Sequence, residues 1–205
     1  MTVDNNNTRK DPEIILITGD PKCGKTVSAC TFPKPLVILN FDGGGYKSID
    51  YARDKADNLI ISPEERELIS VKTFKKTNPV SLDFRTVMKG RVIPEYTGES
   101  GRLIYEMNEA IRELSNPETV PAIRTVVVDS MTAMFQLWVE ATLCINQRTH
   151  LEQSDYGTLQ NVLYGQFIPT LQALPVDYVI LNAHTSTIED GLTKIILELP
   201  NAPSK

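Results

Sequence analysis

Gly19-Asp20-Pro21-Lys22-Cys23-Gly24-Lys25-Thr26 satisfies the pattern G-x-x-x-x-G-K-[ST] at every specified position. The residue types define the chemistry. Gly19 and Gly24 let the backbone wrap tightly, so that successive N–H groups converge on an anion. Lys25 brings a point charge to β- and γ-phosphates, and the Thr26 hydroxyl is a hard-oxygen ligand suited to Mg²⁺. A helix beginning where the loop ends aims the positive end of its dipole at the same phosphates. Taken alone, such a stretch also reads as a Gly/Lys surface turn.

Context separates the two readings. Ile14-Ile15-Leu16-Ile17-Thr18 precedes the loop and reads as a buried strand over residues 13–18. Lys25 to Cys30 follows as a short helix, stopped by Pro33 and Pro35. Strand, glycine loop and helix are the setting the pattern requires. A second strand, Leu36–Leu39, ends at Asn40-Phe41-Asp42, and Gly43-Gly44-Gly45 forces a loop. Residues 46–60 read as partly helical, and Ser62-Pro63-Glu64-Glu65 as the start of one helical turn. Leu68 to Phe74 alternates as a strand. Residues 75–98 form an irregular excursion carrying Lys75, Lys76, Arg85, Lys89 and Arg91, either a solvated loop or a contact for nucleic acid or substrate.

Ser100 to Leu114 places Leu103, Ile104, Met107, Ile111 and Leu114 at helical spacing, and Asn116-Pro117 ends that helix. Ile123 to Asp129 is a buried strand closed by a carboxylate. Helices follow at about 131–146 and at 154–174, the second with an interruption placed at Pro169. Val176 to Leu181 is a strand ending near His184. Thr185–Ile188 and Thr193–Leu197 flank Glu189-Asp190-Gly191 as a C-terminal hairpin. Apolar strands alternating with helices predict an α/β domain with a mainly parallel sheet flanked by helices, which binds ligands at the strands' carboxyl ends. The glycine loop, Asp42, Asp129 and His184 all fall there.

Each of those three residues has a chemical and a structural reading. Val126-Val127-Val128-Asp129 has the form of a strand delivering a carboxylate to magnesium, while Asp129 and Ser130 are both able to cap the following helix. Ser130 stands where many ATPases carry a catalytic Glu, so a water-orienting carboxylate must come from elsewhere. Asp42 is the candidate, with a turn-starting Asp as the alternative. His184 either senses a γ-phosphate or satisfies local backbone groups.

Composition sets bounds. A chain of 205 residues fits one α/β domain after a flexible lead over residues 1–12, and net charge −5 argues against coating nucleic acid by bulk charge. Cys23, Cys30 and Cys144 form no C-x-x-C pair, and His150 and His184 are too few for a zinc site. A reduced, cytoplasmic protein is expected, with no signal peptide and no membrane span.

Together these residues resemble the RecA-like P-loop ATPases: a Walker A loop at Gly19–Thr26, an acid at Asp42, V-V-V-D-S at Val126–Ser130, and a polar strand end near His184. The phrasing is closest to phage AAA-domain proteins of that type. Phe32-Pro33-Lys34-Pro35, Asp42-Gly43-Gly44, Val128-Asp129-Ser130, Asp155-Tyr156-Gly157 and Ala183-His184 follow in that group's order. The resemblance implies ATP and Mg²⁺ as cofactors and a role in phage recombination or single-strand annealing. It also implies single-stranded DNA as a partner and assembly into a homo-oligomer. It places DNA contacts at about Arg148–Gly157 and Thr185–Lys194, whose only cations are Arg148 and Lys194. The chain departs from the group in having Asp rather than Glu at position 42. It also ends where relatives continue with further helix and strand, as a fragment or a shortened domain. From the residues alone, a small-molecule kinase and a non-hydrolytic nucleotide-binding assembly module stay open beside the ATPase.

Overall fold

In the computed structural model, which describes residues 11–76, 99–116 and 123–185, the apolar runs become five parallel strands in one sheet. These are β1 (Glu13–Gly19), β2 (Leu36–Asn40), β3 (Ile69–Thr73), β4 (Thr125–Asp129) and β5 (Tyr178–His184), in the spatial order β1-β5-β4-β2-β3. Every pairing between them is parallel. The expected hairpin, the N-terminal lead before residue 11 and nearly all of the 75–98 excursion lie outside the described residues.

Parallel strands need crossovers, and here these cover both faces of the sheet. One face packs against α1 (Lys25–Ala29) and a 3₁₀ turn at Gly45–Asp50, enclosing Val27, Cys30, Leu36, Ile38, Ile49, Val127 and Ile180. The other packs against α3 (Glu99–Leu114), α4 (Met131–Ile145), α5 (Gln153–Val162) and α6 (Ile168–Gln172). Its core includes Leu39, Leu103, Met107, Val126, Val128, Trp138, Leu171 and Val179. The alternation of Val126 and Val128 against Val127 shows how strict period-2 geometry sends neighbouring valines to opposite cores. Among the described residues no helix is long and apolar enough to cross a membrane.

Local chemistry sets the element ends. α2 (Pro63–Glu67) begins with a full capping box: Ser62 Oγ accepts from Glu65 N–H at 3.2 Å, and Glu65 Oε2 accepts from Ser62 N–H at 3.1 Å. Lys34 and Ser62 both donate to Glu65, holding its carboxyl below the usual range. The long C-terminal helical stretch departs from expectation. Its break lies at Leu163–Phe167, a π turn upstream of Pro169. Proline lacks the N–H that would bond the Gly165 carbonyl four residues back, so the ladder slips there and Ile168 N–H bonds Leu163 O instead. Residues 46–60 are less helical than expected, limited to the 3₁₀ turn and an antiparallel bridge between Arg53 and Leu59.

Candidate nucleotide site

The sheet order brings four strand ends to one place. Gly19 on β1 is the lateral partner of His184 on β5, Asn182 of Asp129 on β4, and Asp129 of Asn40 on β2. Beyond β1 the chain curls through Asp20, Pro21, Lys22, Cys23 and Gly24. Lys22 has φ 67° and Gly24 φ 91°, both left-handed. Two such residues within three positions form the concave backbone in which N–H groups converge on an anion. Gly24 is the position where φ demands glycine. At Gly19 the demand is space: a Cβ there would sit 2.7 Å from Cys23 Sγ.

Lys25 folds back over this loop and is buried. Its Nζ lies 2.9 Å from Gly19 O, 2.9 Å from Asp20 O and 3.2 Å from His184 Nδ1. Three ammonium protons thus meet three acceptors, with Cys23 Sγ more distant at 3.9 Å. Lys25 has only protons to give, so Nδ1 of His184 accepts and the ring proton belongs on Nε2, which lies 3.1 Å from Asp42 Oδ2. An unbroken chain runs from Asp42 through His184 to Lys25. His184 is therefore not satisfied by local backbone: its side chain spans the site, and its own N–H is held by Thr132 Oγ1 at 3.0 Å.

Thr26 Oγ1 donates to Asp129 Oδ2 at 2.6 Å across 103 positions of sequence. Asp129 does not cap α4. Ser130 does, its Oγ accepting from Ala133 N–H at 3.3 Å, which leaves both Asp129 oxygens free of the helix end. A hydroxyl and a carboxylate side by side are a hard-oxygen donor set, which fits Mg²⁺ held through few protein ligands plus phosphate oxygens and water. The described residues contain no group of three or more His, Cys, Asp or Glu side chains placed to hold a metal ion.

A cleft of about 680 Å³ opens over these groups, lined by Pro21, Lys22, Gly24, Lys25, Thr26, Asp42, Asp129 and His184, with Gly44, Gly45, Ser48 and Tyr51 on its far wall. Of the expected site residues, only Gly19, Asp20 and Cys23 do not face it. Asp20 instead joins the loop to the residue after β5: Thr185 Oγ1 donates to Asp20 Oδ1 at 3.2 Å, and Thr185 N–H to Gly19 O at 3.3 Å. A smaller groove of about 340 Å³ over Trp138, Ile145 and Phe167 has no ionisable side chain in its lining and offers no comparable chemistry.

Sequence reasoning missed Asn40, Asn182 and Tyr51. Asn40 Oδ1 accepts from Asp42 N–H at 3.3 Å and steadies the turn that carries Asp42. Tyr51 is 68 % exposed at the cleft wall, an aromatic face open to solvent. An aromatic six residues after Gly43-Gly44-Gly45 was the available signal. Cys30, one turn beyond Thr26, is buried, and burial, reinforced by the Asp129 charge, pushes its thiol up to about 12.

A parallel sheet with a glycine-loop helix start, a hydroxyl–carboxylate pair and a buried loop lysine defines a P-loop nucleotide-binding core. A family model described as AAA domain matches residues 11–201, and the chain belongs to that family. No curated protein matches the chain.

Proposed function

We propose that this cleft binds ATP with Mg²⁺ and hydrolyses the terminal phosphoanhydride bond, in the manner of RecA-like ATPases. The Thr26–Asp129 contact carries the reading. Two groups far apart in sequence meet beside Lys25, in the arrangement that a metal-bridged triphosphate requires.

The chain's own residues supply the rest. The loop amides and the Lys25 ammonium hold the β- and γ-phosphates, phosphate oxygens replacing Gly19 O, Asp20 O and His184 Nδ1 as partners of the lysine. Thr26 and Asp129 would hold Mg²⁺, which would supply neutralisation of the charge developing on the transferring phosphoryl group. Asp42 orients a water and accepts its proton as oxygen attacks the γ-phosphorus and the bond to ADP breaks. His184 Nε2 fixes the Asp42 carboxylate, and its Nδ1, released as Lys25 turns to phosphate, becomes free to sense the γ-phosphate. Tyr51 offers its ring to the base.

We further propose that this activity serves phage recombination or single-strand annealing, in a homo-oligomer acting on single-stranded DNA. The order of shared motifs supports this part. Within the described residues, Arg148 is committed to Asp155 at 3.0 Å and Glu152 at 3.1 Å, so the loop after α4 spends its own cation internally. DNA contact through that loop then depends on repetition of weak sites in an assembly.

The test is phosphate release with and without single-stranded DNA, for wild type and Asp42→Asn, alongside equilibrium binding of labelled ATP. Release that DNA accelerates and Asp42→Asn abolishes supports the whole proposal. Binding without release in the wild type refutes hydrolysis and leaves an assembly switch. Absence of ATP binding, with Lys25→Ala indistinguishable from wild type, refutes the site.

A further inference from the structure

Asn40, Asp129 and Asn182 form a row across three neighbouring strands, in lateral register, and all three are buried. Two residues back, the same face carries Ile38, Val127 and Ile180, all wholly buried. The row is thus a polar layer at the carboxyl edge of the face, directly beyond an apolar layer. An asparagine in the middle of a parallel strand, between two other strands, needs a reason, because burying its amide sacrifices hydrogen bonds to water.

The partners supply one. Asn182 Nδ2 donates to Asp129 Oδ1 at 3.1 Å, while Thr26 Oγ1 donates to Oδ2. A carboxylate accepts only, so the amide cannot be turned round: its NH₂ must face Asp129. That choice leaves Asn182 Oδ1 buried with no hydrogen-bond partner among the described residues. The fold accepts an unsatisfied oxygen in order to keep the NH₂ on the carboxylate. Asn40 does not share the task, since its Nδ2 is given to Thr73 Oγ1 at 3.2 Å.

Resting on the ATP–Mg²⁺ reading above, we infer that Asn182 is a positioning residue for the metal-side carboxylate: by engaging Oδ1 it locks the rotation of Asp129 and reserves Oδ2, on the Thr26 side, for the cation. Asn182 has no exposure to the cleft and acts through Asp129 alone. Its effect therefore falls on the metal-dependent part of nucleotide affinity and spares the part that the loop and Lys25 provide.

The test measures binding of a fluorescent non-hydrolysable ATP analogue twice, in EDTA and in saturating Mn²⁺, for wild type and Asn182→Leu, which keeps the volume and removes the amide. The ratio of the two affinities is the metal's contribution. The expected result is an EDTA affinity within about two-fold of wild type, and a metal contribution reduced about 10-fold or more, the usual scale for removing a group that orients a metal ligand. A thermal melt in EDTA checks that the variant is folded; if it is not, Asn182→Ala replaces it and is read the same way. A general structural role would lower both affinities together, and that result overturns the inference. So does an unchanged metal contribution in a folded variant. If the wild type itself binds no analogue in either condition, the nucleotide reading falls and takes this inference with it, an outcome distinct from the other two.

Discussion

The two faces of the sheet are built for different ends. Among the described residues, the face under α3, α4, α5 and α6 encloses 25 buried hydrophobic residues and the face under α1 encloses 10. The larger core centres on aromatic packing, with Trp138 set edge-on against both Phe135 and Phe167 at centroid distances of 5.9 and 5.2 Å. The smaller one gives its carboxyl-edge row to Asn40, Asp129 and Asn182 and its cover to a helix of five residues. Stability is therefore concentrated on one side and chemistry on the other. Polar groups that would weaken a main core are affordable at the edge of a minor one.

Substitutions break or sharpen that contrast. The largest effect belongs to the chemical face: Asp42→Asn lowers steady-state phosphate release about 10²–10⁴-fold, with the melting temperature unmoved because Asp42 is well exposed. On the other face, Trp138→Ala costs about 3–5 kcal/mol of stability in denaturant titration, while ATP affinity per folded molecule stays at the wild-type value; a parallel loss of affinity would show that the faces are not separable. Lys25→Ala removes about 1.5–3 kcal/mol of ATP binding per folded molecule, or roughly 10–150-fold in Kd.

Cys30 sharpens the comparison through pH. Below pH 9 its thiol is protonated in folded and unfolded chains alike and contributes no slope. Between 9 and about 12 the unfolded chain has lost a proton that the folded chain keeps, so stability falls as pH rises. Each pH unit takes up to about 1.4 kcal/mol, and Cys30→Ala flattens that limb of the stability curve. At pH 9 iodoacetamide labels exposed Cys23 and spares Cys30, as peptide mass mapping would read out. The smallest effect is at Ser62: loss of the capping box in Ser62→Ala costs about 1 kcal/mol and leaves ATP binding and phosphate release untouched.

Much of this was legible in the residues. The glycine loop and Val126–Asp129 declared themselves through spacing and apolar runs, and the structure brings Thr26 against Asp129. The helix at Ser100–Leu114 declared its buried stripe, which the structure places at Leu103, Met107, Ile111 and Leu114. What one chain does not display is lateral order. Nothing near Asn182 in sequence says that β5 lies between β1 and β4, so an amide inside an apolar strand reads only as the strand fading out. The Lys25–His184 contact, 159 positions apart, was hidden for the same reason. The choice between Asp129 and Ser130 as helix cap was open because both side chains can make that bond, and tertiary partners decided it. At Pro169 the residue was correctly seen as a breaker, but its missing N–H acts a turn upstream.

The placement of β5 also has a temporal side. Among the described residues β1 hydrogen-bonds laterally to β5 alone. The first of these five strands to be synthesised therefore waits for the last of them before it has a neighbour among the described residues. Until then the glycine loop hangs from an unanchored ribbon, and a nascent chain halted before Tyr178 has no means of gripping a nucleotide. Capture of ATP on stalled chains of increasing length should consequently switch on abruptly, once His184 has cleared the exit tunnel.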